Sequence, residues 1–301
     1  MQASKSLRFL HPRPSVISAL HSSTVWKLVK MIIDEFLLMS AGLLAALGAL
    51  AGLLAGMFGI GGGMVLVPGL YYIFSHLGYD AAAMHMAVGT SLLTIVFTGA
   101  ASAYAHYKRG AVDFDIFKKF GIGLVLGVAL GTVMADRFDV DILKGIFAVT
   151  QLLFGSYMLL RQDKPVLCDA LPRQPWTTII ATINTALATL RGVGGGVQNV
   201  LIMTMCNVPM HRATATASAL GAVAATMGAA GFVWIGGDAV NLPPHTLGYI
   251  NGPAFACIIF TSVACAPLGV KLAHDLPVKK LRKAFSIFIL LVSAKMLAEL
   301  I

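Results

Sequence analysis

Arg191 stands directly before Gly192-Val193-Gly194-Gly195-Gly196, inside an otherwise apolar stretch. In a membrane such a charge costs about 2.5–3.5 kcal/mol on insertion scales, so it must meet a counter-charge, a cavity or the interface. No Asp or Glu lies inside the clear apolar spans, only near their ends. An incoming anion can take the empty role, gripped by the planar guanidinium through two hydrogen bonds. The plainer reading is an Arg snorkelling to the surface from a short half-helix. Gln198 and Asn199 follow the glycines and bring amides that can donate to an anion.

The glycines form a cluster that occurs twice. Gly59-Ile60-Gly61-Gly62-Gly63 is matched 133 residues later by Gly192 to Gly196, with Phe58 in the place of Arg191. Consecutive glycines accept positive φ and break a helix. The helix that starts after them offers free N–H groups and a positive dipole end, an anion site. Gly61, Gly62, Gly63, Gly194, Gly195 and Gly196 are therefore candidate substrate contacts. Close helix packing is the structural alternative. No nucleotide fingerprint is present, because Met64 stands where GxGxxG requires Gly.

Hydroxyls recur at matched places, Thr90 and Ser91 in one half and Thr216 and Ser218 in the other. They can donate to a substrate oxygen, or bond back to the i−4 carbonyl of their own helix. His85 and His211 open the spans that carry these hydroxyls; they are candidates for carrying coupling protons, or ordinary interfacial residues. Cys168, Cys206, Cys257 and Cys265 contain no CxxC and read as small hydrophobes. No metal set, cofactor motif or hydrolase constellation appears, so no enzyme chemistry is expected.

These residues need elements to position them, and composition says which kind. Of 301 residues, 57% are hydrophobic and only 12% charged, with mean hydropathy +0.82. A soluble domain carries about 25% charged residues. The numbers exclude a cytosolic enzyme and a disordered chain and leave a multispanning membrane protein with its bilayer as partner. At about 20 residues per span there is room for roughly eight to ten. Net charge is +9, but five of the 22 basic residues sit among residues 1–30, which hold no acid. No folded basic face remains for nucleic acid. Residues 1–30 read as a disordered leader, either an over-long start before Met31 or an organelle presequence.

Apolar stretches follow at about 36–57, 64–77, 85–106, 117–135, 142–160, 176–190, 197–207, 213–235, 249–272 and 282–300. The glycine match is one of an ordered series. Ala87 to Ser91 answers Thr214 to Ser218, and Gly131 to Leu143 runs parallel to Gly269 to Leu281. The chain reads as membrane repeat 31–160, a cytoplasmic linker 161–175 and membrane repeat 176–301. Basic loops at Lys108 to Lys119 and Lys279 to Lys283 go to the cytoplasm by the positive-inside rule; the acid-rich loop from Asp136 to Asp141 goes outside. Five segments per half then make the halves inverted. The expected fold is an all-α polytopic membrane protein of two inverted five-segment repeats with Gly-broken, discontinuous helices, the arrangement that marks a midplane substrate site.

The GIGGG cluster with Val65-Leu66-Val67-Pro68, the later Val88-Gly89-Thr90-Ser91 and the duplicated half resemble the sulfite exporter TauE/SafE family over about Ile33 to Ile301. The resemblance implies a multipass permease for a small sulfur-containing anion such as sulfite, thiosulfate or a sulfonate. Leu201 stands where Pro68 would repeat, so the two halves are not symmetric in role. The expected function is secondary transport of such an oxyanion by alternating access. An anion channel and a non-transporting membrane assembly protein are the alternatives. The expected location is the plasma (inner) membrane, or an organelle membrane if residues 1–30 are a presequence. The anion, the direction of transport and the oligomeric state stay open.

Overall fold

The computed structural model describes residues 41–55, 57, 62–160, 168–275 and 278–300. The expectations placed on residues 1–30, on Gly59 to Gly61 and on 161–167 of the linker lie outside the described residues. The chain from Leu43 onward forms one unit by itself. Before the linker come α1 (Ala41–Ala55), α2 (Gly63–His76), α3 (Ala83–Lys108), α4 (Phe114–Arg137) and α5 (Val140–Leu160). After it come α6 (Trp176–Leu190), α7 (Gly196–Met205), α8 (Met210–Ile235), α9 (Gly252–Asp275) and α10 (Val278–Ala298). A two-residue pair of strands, Thr246–Leu247 with Ile250–Asn251, lies between α8 and α9.

The chain is an all-α polytopic membrane protein. Among the described residues, five helices are long and apolar enough to cross a membrane: α3 with the turn before it, α4, α5, α8 and the Gly252–Gly269 part of α9. Their outward side chains are themselves apolar, as at Ile122, Leu153 and Phe260. That pattern suits lipid and not water. In contrast, α2, α6 and α7 have 14, 15 and 10 residues, short of the about 20 a span needs.

The breaks between these short helices come from backbone chemistry. Both α2 and α7 start from a left-handed glycine N-cap, Gly62 at φ 72° and Gly195 at φ 75°. L-residues avoid that region, so the residue type itself ends the preceding turn and starts the new helix. The two caps are 133 residues apart, the spacing of the sequence clusters.

The longer helices pack by pairs. α3 lies on α8, α5 on α10, and α4 on α6. Gly123, Gly127 and Gly131 of α4 face α6 so closely that a Cβ on Gly127 would sit 2.6 Å from the Thr182 carbonyl. Backbones in contact maximise dispersion where lipid offers no hydrophobic drive. The same device recurs between α1 and α9, where Gly48 and Gly52 abut Ile258 and Ser262, and Gly269 abuts Leu53. In each case the fourth helix of one half seats on the first helix of the other.

Candidate functional site

The loop between α6 and α7, Arg191 to Gly195, turns on three glycines. Gly192, Gly194 and Gly195 all have positive φ, at 66°, 67° and 75°. Val193, between them, is buried. Arg191 caps the C-terminus of α6 and is only 3% exposed. Its Nε–H donates to the Leu187 carbonyl at 2.8 Å, which also accepts the Arg191 backbone N–H. The other edge of the guanidinium faces the first turn of α7. With the Gln198 amide oriented by its neighbours, its oxygen accepts from both Nη1 and Nη2 at 2.8 Å. A guanidinium has five N–H donors, so each Nη keeps a further one to offer.

This is an unusual place for a cation. The first turn of α7 carries the positive end of its dipole, and both partners of Arg191 are neutral. Among the described residues the ion pairs are Lys144 with Glu299 and Arg212 with Asp113; neither reaches Arg191. Asn199, 4% exposed, accepts from Asn184 Nδ2 at 2.8 Å. Asn184 was not among the sequence candidates. Its signal was an amide in an apolar helix, seven residues before Arg191 and so on the same face.

The first glycine cluster meets the second. A Cβ on Gly63 would lie 2.8 Å from the Gly192 carbonyl and 3.1 Å from Val193 Cα. Ser91, fully buried, donates its hydroxyl to that same carbonyl at 2.8 Å. Thus Gly63, Ser91 and the Gly192 to Gly195 turn converge, with Arg191 and Gln198 on the second side of the junction. Gly62 lies one residue before, against the Ala51 carbonyl. A Cβ on Gly196 would meet nothing within 4 Å; this is open space at the N-terminus of α7. Gly61 is outside the described residues.

Comparison with known proteins decides the family. The sequence pattern of the sulfite exporter TauE/SafE family matches residues 44–296. The chain belongs to this family. It is similar to a probable membrane transporter protein of Haemophilus influenzae, 33% identical over 83% of this chain and 95% of the relative. It is also 29% identical to a probable membrane transporter protein of Methanocaldococcus jannaschii, over 82% of this chain and 91% of the relative. No solved structure matches the chain. This TauE/SafE chain is an integral multipass membrane protein of a transporter family.

The remaining candidates of the TauE/SafE chain sit elsewhere. Thr90 accepts the Asn251 N–H at 3.1 Å, just before α9, where Asn251 also caps the helix by accepting from Ala254 N–H. Thr216 accepts the Asp113 N–H at 2.9 Å, just before α4, where Asp113 caps by accepting from Asp115 and Ile116. Each threonine therefore ties its own half to the start of a helix in the other. Both side chains are fully buried. Changing either to valine keeps the shape and strands a backbone N–H, which costs about 1–3 kcal/mol. Thr90→Val and Thr216→Val are each expected to lower the thermal midpoint, and the double variant to fall by about their sum, as for separate sites. Unchanged midpoints would mean that the ties carry nothing.

Ser218 bonds back to the Thr214 carbonyl at 2.9 Å and accepts from Ser102 Oγ at 3.3 Å. His211 is exposed. His85 is buried, with Nε2 donating to the Ala135 carbonyl at 3.0 Å and its ring stacked on Tyr249, centroids 4.8 Å apart. Its Nδ1 has no partner among the described residues.

Proposed function

We propose that this chain is a permease, not an enzyme, that moves a small sulfur-containing oxyanion (sulfite, thiosulfate or a sulfonate) across the plasma membrane by alternating access. The observation that carries the reading is Arg191: a buried guanidinium with neutral partners, at the positive end of α7. A tetrahedral or pyramidal oxyanion supplies the missing charge and accepts from the Nη donors and from the first N–H groups of α7. In this reading the Gln198 oxygen stands in for an anion oxygen and is displaced when substrate arrives. Asn199 orients the turn, and the glycines keep the junction open to close approach.

The two halves, 31–160 and 176–301, are taken as inverted repeats joined by a cytoplasmic linker. Three features support this: equal glycine caps 133 residues apart, the reciprocal seating of α4 on α6 and α9 on α1, and the reciprocal threonine ties. The short helices are then half-helices that enter from opposite faces and meet at the Gly63–Gly192 junction. Rocking of one half against the other exposes Arg191 to each side in turn. His85 and His211 are the candidates for proton coupling.

The test is flux into proteoliposomes holding the purified chain. Labelled sulfite uptake is expected to saturate, and to be accelerated by unlabelled sulfite inside, the counterflow that separates a carrier from a channel. An imposed proton gradient is expected to speed it. Equal flux with and without the gradient removes the histidines from the mechanism. No movement of sulfite, thiosulfate or sulfonate overturns the transport reading.

A further inference from the structure

Two cysteines that are 38 residues apart in sequence touch in the fold. Cys168 Sγ and Cys206 Sγ lie 2.6 Å apart, and both are thiols. Backbone bonds hold each of them in place. Cys206 is the C-cap of α7, and the next two residues close a Schellman motif. Asn207, at φ 60°, sends its N–H to Thr204, and Val208 sends its N–H to Met203. Cys168 is laid against this helix end by its own N–H, which donates to the Met205 carbonyl at 3.3 Å. Cys168 is half-buried while Cys206 is 7% exposed. An attacking reagent therefore meets Cys168 first and finds Cys206 waiting behind it.

We infer that Cys168 and Cys206 form a redox modification site, an internal dithiol that closes to a disulfide by exchange with a low-molecular-weight disulfide and staples the linker to α7. The Cys168 thiolate attacks one sulfur of the incoming disulfide, forming a mixed disulfide and releasing one thiol. Cys206 then gives up its proton and attacks Cys168 Sγ, expelling the second thiol. Two protein thiols are oxidised and one external disulfide is reduced to two thiols, so atoms and electrons balance. Cys206 is the more deeply buried of the two, in keeping with a resolving role and not a first-attack role. The other two cysteines, Cys257 and Cys265, lie within α9. The staple lands on the helix whose first turn presents Gln198 to Arg191. Its bearing on transport rests on the reading above; the thiol chemistry does not.

The experiment uses the full chain in lipid nanodiscs, incubated with oxidised glutathione, quenched in acid, alkylated and mapped by mass spectrometry. A linked pair of peptides containing Cys168 and Cys206 is expected, reversed by dithiothreitol, with Cys257 and Cys265 still alkylated. Two unlinked alkylated cysteines, or two separate glutathione adducts, would overturn the site. Backbone hydrogen exchange across Gly196–Met205 is expected to slow at least about threefold in the oxidised protein, as local opening is suppressed. Cys168→Ser is expected to show no slowing under the same treatment. Exchange that is equal in oxidised and reduced wild type would overturn the staple. None of these readouts measures transport, so a failure here and a failure to move sulfite are separate results.

Discussion

Arg191→Ala is expected to cut sulfite flux in proteoliposomes by about a hundredfold or more, with the protein still folded. Hydrogen bonds to charged groups contribute about 1.5–3 kcal/mol each, and a bidentate grip makes two of them. At about 1.4 kcal/mol per factor of ten, their loss is worth two decades or more. Folding should survive, because the side chain is 3% exposed and held by neutral partners. Its burial carries a desolvation cost that alanine removes. Arg191→Lys keeps the charge but not the planar fork, so a partial loss is expected. The check is initial uptake rate beside monodispersity and thermal midpoint of the same preparations. Flux within twofold of wild type in Arg191→Ala would remove this residue from the site.

Gly192→Ala is expected to damage both fold and flux. The position has φ 66°, and an added Cβ would lie 2.9 Å from both Val88 Cα and Val67 Cγ2. A left-handed L-residue costs about 1–2 kcal/mol, and overpacking a tight site about 1–3 kcal/mol more. The Val88 backbone cannot swing aside as a flexible side chain would. Displacement of the turn also moves the Gly192 carbonyl away from Ser91 and Gly63, so flux should fall together with the thermal midpoint. Gly63→Ala attacks the same junction from the other side. Gly121→Ala in α4 is the control: its Cβ meets nothing within 4 Å, and Ala is the better helix former by about 1 kcal/mol. If Gly192→Ala unfolds at the midpoint of Gly121→Ala, the two clusters do not meet as described.

Much of this architecture was legible in one dimension. The apolar stretches near 85–106, 117–135, 142–160 and 213–235 correspond within a few residues to α3, α4, α5 and α8. A span must be apolar along its whole length, whatever it packs against. The glycine clusters were legible for a similar reason. A left-handed N-cap is a demand of the local backbone, and Gly62 and Gly195 answer it by residue type alone.

The polar side chains were harder. The same hydroxyl pattern proved to hold three different roles: Ser91 ties to the Gly192 turn, Thr90 and Thr216 tie across halves, and Ser218 bonds back within its own helix. Sequence matching set Thr90 opposite Ala217, whereas the bond equivalent to that of Thr90 is made by Thr216. A helix register is judged by what the neighbouring helix presents, and a one-dimensional match does not contain that neighbour. Asn184 passed unnoticed because its partner Asn199 lies across the turn.

By itself the sequence determined that the chain lives in a membrane, where its helices break, and that a lone cation stands at one break. Those properties belong to single residues or to runs of them, through hydropathy, backbone freedom and charge. Only the tertiary structure decided that the two breaks touch, that Gln198 faces Arg191, and that Cys168 rests on Cys206. Each of these is a contact between segments brought together by helix packing. Such contacts depend on which backbones can approach closely enough, so no spacing in the chain announces them.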